Sequence, residues 1–160
     1  MLKGSMSDFK RKCFAHQIVP GTYSVRVYYA ESKKERYVAF AEIVFSDKRP
    51  VKYVAAKTLS DTESKRRGFC GYPVHEHTTG LMDADAFEII CNLPRNKDAY
   101  AVLELDEETE SIGDYAIAYD DSKNPCAVQL HVSCGYYYWY WGKDSNDEIC
   151  CLIGDFFTFE

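Results

Sequence analysis

Five consecutive aromatic residues, Tyr136-Tyr137-Tyr138-Trp139-Tyr140, followed directly by Trp141, constrain this chain more than any other stretch. Such a run suits a pleated strand, where successive side chains go to opposite faces. It loads both faces with rings, more than one buried face absorbs. The run lies in a closing stretch, Cys126 to Glu160, that alternates, turns and returns through a second apolar run. The stretch reads as a pair of adjacent strands on which the fold closes, with an aromatic rim at their junction. Part of that rim is expected to face water as a platform, since Tyr and Trp give large contact area at low entropic cost. Two-sided core packing is the plainer reading, and the sequence leaves both open.

The segments upstream supply further strands. After Pro20-Gly21, the stretch TYSVRVYYA places Tyr23, Val25, Val27 and Tyr29 on one face, with Thr22, Ser24 and Arg26 on the other. RYVAFAEIVFSD is apolar on nearly both faces, the mark of a central strand covered on each side. VKYVAAKT returns after a turn at Asp47-Lys48-Arg49-Pro50, and the three segments together read as a meander. One helix is predicted, about three turns long, with Asp83 as N-cap, Asp85 in the first turn, a Phe87, Ile90, Cys91 stripe and a stop at Pro94. AYAVLELD and YAIAYD alternate as strands. In the closing pair, Val128, Leu130 and Val132 face inward, with Gln129, His131 and Ser133 opposite, and EICCLIGDFFTF ends the sheet. Gly154 is expected at a bulge or a close approach. The fold class is mainly β (α+β): antiparallel sheets forming a sandwich or partly open barrel, with one short helix.

A chain of 160 residues buries roughly 70% of its unfolded surface as one domain. Residues 1–20 read as a lead-in, with MLKGS a candidate cloning remnant and Met6 a candidate natural start. Residues 21–160 read as a single β-rich domain. The net charge of −6, with acidic residues gathered late in the chain, repels phosphate backbones, so no nucleic-acid partner is expected. It favours a basic protein partner, although a solvated acidic loop explains the same residues. Seven cysteines, with no C-x-x-C pair, suit a reducing compartment. Cys150 and Cys151, adjacent on a strand, are expected on opposite faces. The start lacks a signal-peptide apolar segment, and no apolar run is long enough to span a bilayer. A cytoplasmic location without membrane contact is the expectation.

Chemistry is sparsely signalled. His75 and His77, with Asp83 near them in sequence, offer the weak beginnings of a divalent metal site. The shortness of the match favours a surface loop and an N-capping aspartate instead. A thiol nucleophile, Cys134 near His131 or Cys70 near His75, needs an imidazole within reach, and a buried free thiol is the plainer reading. No phosphate-cradling glycine loop and no G-x-S-x-G or H-E-x-x-H motif occurs, so no cofactor is expected.

Several stretches resemble a bacterial family designated domain of unknown function 4241. Gly21 to Val25 (GTYSV) is similar to its GTYPV opening, and Arg36 to Asp47 to its RVAxAxIxFSD strand. Val74 to Asp83 (VHEHTTGLMD) sits where that family has a VDxGTGxFMD-like run. Ser133 to Asp144 (SCGYYYWYWGKD) sits at its SGWGDGxYPxYWGxD, and Leu152 to Phe156 (LIGDF) at its closing LVTDF. Departures fall on polar positions: His75 replaces an acidic residue, His77 and Thr79 replace glycines, and the GDG loop has no counterpart. Tyr140-Trp141-Gly142 with Asp144, and Asp155 with Phe156, remain. The resemblance implies the strand framework and no activity; a carboxylate-based site, if the family has one, is lost or rebuilt in this member.

The functional expectation is a non-enzymatic cytoplasmic binding protein, of an immunity or inhibitor type, that docks a basic protein. Tyr136, Tyr137, Tyr138, Trp139, Tyr140 and Trp141 would anchor the contact, and Glu107, Glu108 and Glu110 would steer it. The alternative is a small hydrolase or metal-assisted enzyme gathering His75, His77, Asp83 and Asp144.

Overall fold

A computed structural model describes residues 14–31, 36–58, 72–74, 77–92, 104–105, 115–120 and 122–156. The strands are β1 (Ser24–Glu31), β2 (Arg36–Val44), β3 (Lys52–Ala55), β4 (Tyr72–Val74), β5 (Thr78–Met82), β6 (Glu104–Leu105), β7 (Tyr115–Tyr119), β8 (Pro125–His131), β9 (Gly135–Lys143) and β10 (Ile149–Asp155). A single helix is described, α1 (Ala84–Cys91). The protein is thus mainly β, with two antiparallel sheets and one short helix, and no sheet closes into a barrel among the described residues. None of the described helices is long and apolar enough to cross a membrane. Chain contacts divide the protein into two compact units, Met1–Val74 with Cys134–Glu160, and His75–Ser133.

The first unit holds the six-stranded sheet, in the order β1-β2-β10-β9-β3, with β4 also pairing with β9. The predicted meander does not form, because β3 pairs with β9 and not with β2. The reason lies in β2, whose Val38, Ala39 and Ala41 are buried and which needs a fully apolar neighbour. β10 is that neighbour, burying Cys150, Cys151 and Leu152. The expected closing pair, with Val128 to Ser133 in its first strand and the rings at the junction, is corrected: β8 belongs to the other sheet, and the aromatic run is itself the strand β9 that pairs with β10.

Register assigns the aromatic run to faces. Trp141 lies in a row with Leu152, Ile43 and Val25, and Trp139 in a row with Gly154, Ala41 and Val27. Trp139 and Trp141 are buried, as is Tyr137. Phe14 meets both indoles edge-on, at 6.4 Å and 5.4 Å, and Phe156 meets Trp139 at 5.6 Å and Tyr137 at 5.4 Å. These T-shaped contacts make one aromatic core on that face. Gly154 is the close approach foreseen in the sequence. A Cβ there would stand 2.8 Å from both the Trp139 ring and the Phe156 ring. Gly154→Ala is expected to lower the urea midpoint by an amount worth about 1–3 kcal/mol through overpacking; an unchanged midpoint would mean the rings yield freely.

The expectation for Cys150 and Cys151 is corrected. Register slips between Ile149 and Cys151, so β10 carries an extra residue against Lys143 and Gly142. At such a bulge two residues oppose one, which breaks strict alternation. Both thiols consequently line one groove, and Cys150 Sγ donates to the Gly142 carbonyl at 3.4 Å.

The second unit holds the four-stranded sheet, in the order β5-β8-β7-β6, and α1. Asp83 caps α1 as predicted: its Oδ1 accepts from the Asp85 amide at 2.8 Å and the Ala86 amide at 3.5 Å. The helix has eight residues, about two turns and not three. Pro94 lies outside the described residues. The residues just before the helix form β5, paired with β8, a strand the sequence did not suggest. Leu130 and Val132 are buried and His131 and Ser133 exposed, as the alternation indicated. Ala86, Ala118 and Cys126 form a small buried cluster.

Candidate functional site

The opposite face of the six-stranded sheet is built from the residues that alternate with that core. One row runs Tyr28, Phe40, Asp155, Tyr138; the next runs Arg26, Glu42, Ile153, Tyr140, Ala55; a third runs Ser24, Val44, Cys151, Gly142, Tyr53. Tyr28 and Tyr53 are exposed, at 45% and 52%, on the outer strands β1 and β3. Tyr138 and Tyr140 are half-buried between them, with ring centroids 6.5 Å apart. At the end of β9 stands Tyr136, 63% exposed. Alternation along β9 thus sends 137, 139 and 141 inward and leaves 136, 138 and 140 on the outer face.

Polar contacts fix this face. Glu42 Oε2 accepts from the Tyr28 hydroxyl at 3.0 Å and from an Arg26 guanidinium nitrogen at 3.3 Å. The hydrogen bond with Tyr28 and the charge of Glu42 hold the Arg26 guanidinium above its ordinary value. Burial pushes the Tyr53 and Tyr140 hydroxyls up, so both stay neutral at physiological pH. The face therefore offers rings, hydroxyls, the Arg26–Glu42 ion pair and the acidic side chain of Asp155. Its chemistry is that of contact and hydrogen bonding.

The sequence-predicted site residues scatter. Tyr137, Trp139 and Trp141 belong to the core and are removed from the expected rim. His75, Glu107, Glu108 and Glu110 lie outside the described residues, as does Cys70. His77 is exposed with φ of 56°, and its carbonyl accepts from the Val132 amide at 2.9 Å. Asp83 is engaged as the helix cap. His131 and Cys134 are both exposed. Asp144 is buried at the β9–β10 turn, where its Oδ1 accepts from the amides of Asn146 and Glu148, each at 2.9 Å. Lys48 pairs with Asp144 at 3.1 Å and with Glu148, while Lys52 and Lys143 pair with Asp147 at 2.5 Å and 3.1 Å. No three metal-ligating side chains converge among the described residues.

Tyr28 and Tyr53 were absent from the expected rim. The signal for Tyr28 was present, since alternation from Ser24 and Arg26 continues to Tyr28 on the same face. Nothing local could place Tyr53, because its strand joins the sheet through a partner far along the chain.

Fold and face together define a mainly β antiparallel protein with an open, tyrosine-bearing sheet surface. The family model described as Protein of unknown function (DUF4241) matches residues 4–154, and the chain belongs to that family. No curated protein and no solved structure matches it.

Proposed function

We propose that this protein is a non-enzymatic binding protein that docks a basic protein partner through the outer face of its six-stranded sheet, as a cytoplasmic immunity or inhibitor protein would. The carrying observation is the tyrosine set on one face, with Tyr28, Tyr53 and Tyr136 exposed around Tyr138 and Tyr140. Tyrosine is enriched at interfaces because a ring with a hydroxyl tip packs and hydrogen-bonds with few torsions to freeze. The net charge of −6 selects a basic partner, and Glu107, Glu108 and Glu110 are assigned its long-range steering. The hydrolase alternative gains no support: Asp83 and Asp144 both spend their carboxylates on backbone amides.

Affinity capture from the source cell tests the proposal. The wild-type protein is expected to retain a basic protein in stoichiometric amount. Tyr28→Ser, Tyr53→Ser and Tyr136→Ser are each expected to weaken retention about tenfold or more. A fully retained partner in the triple variant, or no stoichiometric partner at all, would refute it.

A further inference from the structure

We propose that Cys150 and Cys151 form a two-thiolate site for a soft monovalent cation, Cu(I). The bulge in β10 is what makes the pair: it turns two adjacent cysteines toward one groove of about 250 Å³, where regular alternation would have separated them. Both are free thiols and buried to within 2%. Thiolates are soft donors that select Cu(I) over harder cations. A tetrahedral zinc site needs four ligands, and no third metal-ligating side chain joins the pair among the described residues. A two-coordinate ion fits what is present.

The binding step is an exchange without oxidation. Two S–H bonds break, two S–Cu bonds form, two protons leave to solvent, and copper remains in the +1 state. An ordinary cysteine thiol is protonated at neutral pH, so the metal displaces one proton from each sulfur as it binds. The product, a copper bis-thiolate, carries one negative charge, and the groove supplies the means to hold it. Ser46 Oγ is buried there with no hydrogen-bond partner and is available to donate to a thiolate sulfur. Arg26 and Lys48 also line the groove but are paired with carboxylates, and Glu42, in hydrogen-bond contact with the Cys151 side chain, and Asp47 line it as well. Arg49 lines it too, with no ion pair among the described residues, and offers the uncommitted positive charge.

Titration of the full-length protein with Cu(I) under anaerobic conditions, against a chromophoric Cu(I) chelator, tests the site. The wild type is expected to take one tight equivalent and release two protons, with two sulfur neighbours in the copper X-ray absorption spectrum. Cys150→Ala/Cys151→Ala is expected to lose that equivalent, and Cys134→Ala, an exposed thiol elsewhere, to keep it. Arg49→Gln, at an exposed position, is expected to weaken binding about two- to fivefold. An unchanged equivalent in the double alanine variant overturns the proposal, as does a copper spectrum showing nitrogen or oxygen neighbours. If the double variant does not fold, the Arg49→Gln arm decides, and unchanged affinity there overturns it.

Discussion

Trp139→Ala is expected to lower stability by about 3–5 kcal/mol, the range for truncating a large buried aromatic. The indole is 3% exposed, stands over Gly154 where no Cβ intervenes, and meets Phe156 at 5.6 Å and Phe14 at 6.4 Å. Removing it opens a void that a glycine below and two edge-on rings beside it cannot fill. Equilibrium urea denaturation measures the loss. Tyr136→Ala, three residues earlier on the same strand but 63% exposed, is expected to change stability by no more than about 0.5 kcal/mol. Equal losses at the two positions would mean that β9 does not present alternate faces as described.

Asp144→Ala is the second large effect. It removes the acceptor of two turn amides and the partner of Lys48. A fall in melting temperature on the order of 5 °C or more at neutral pH is expected, from the loss of two capping bonds. The effect depends on pH with a defined sign. Hydrogen bonds from the Glu148 amide, then the bond with Lys48, hold the Asp144 carboxyl below its ordinary 3.8. A depressed carboxyl contributes stability that is fully present above the unfolded value and is lost as pH falls toward the folded one. Asp147, depressed by Lys52 and Lys143, adds in the same sense. Lys48 is raised above 10.5 by Glu148 and Asp144, so its share is present below that value and lost above it. Thermal melts should thus separate wild type from Asp144→Ala most widely between about pH 5 and pH 9. The two should converge below pH 3.8. A gap that persists in strong acid would rule out the carboxylate as its origin.

Local chemistry was legible where it is decided locally. Asp83 before an apolar stripe gave the helix start, and the hydrogen bonds to Asp85 and Ala86 bear it out. The two-sided apolar pattern of RYVAFAEIV gave a central strand, and β2 does lie between two others. What failed depended on partners distant in sequence. No periodicity says that β10 separates β2 from β9, or that β3 joins the far side. The side of the sheet facing the core is equally non-local, so the tryptophans and the alternate tyrosines could not be told apart from the run itself. Cys150 and Cys151 were misplaced because a bulge is a property of two paired strands, invisible in either alone. Asp144, a candidate of the hydrolase reading, is engaged by turn amides, and its neighbours Ser145, Asn146 and Asp147 are turn formers between two strands. Asp147, at φ of 68°, shows the turn for what it is.

The strand order also dictates when the sheet can be completed. The β1–β2 hairpin leaves the ribosome early, with one ladder of β2 amides and carbonyls unmatched and its apolar side chains uncovered. Its lasting neighbour, β10, is synthesised only after the whole His75–Ser133 unit and β9. Throughout that interval the nascent chain displays an edge that any other extended segment could join. Slower folding is the expected consequence of the same non-local pairing that gives the finished sheet its core.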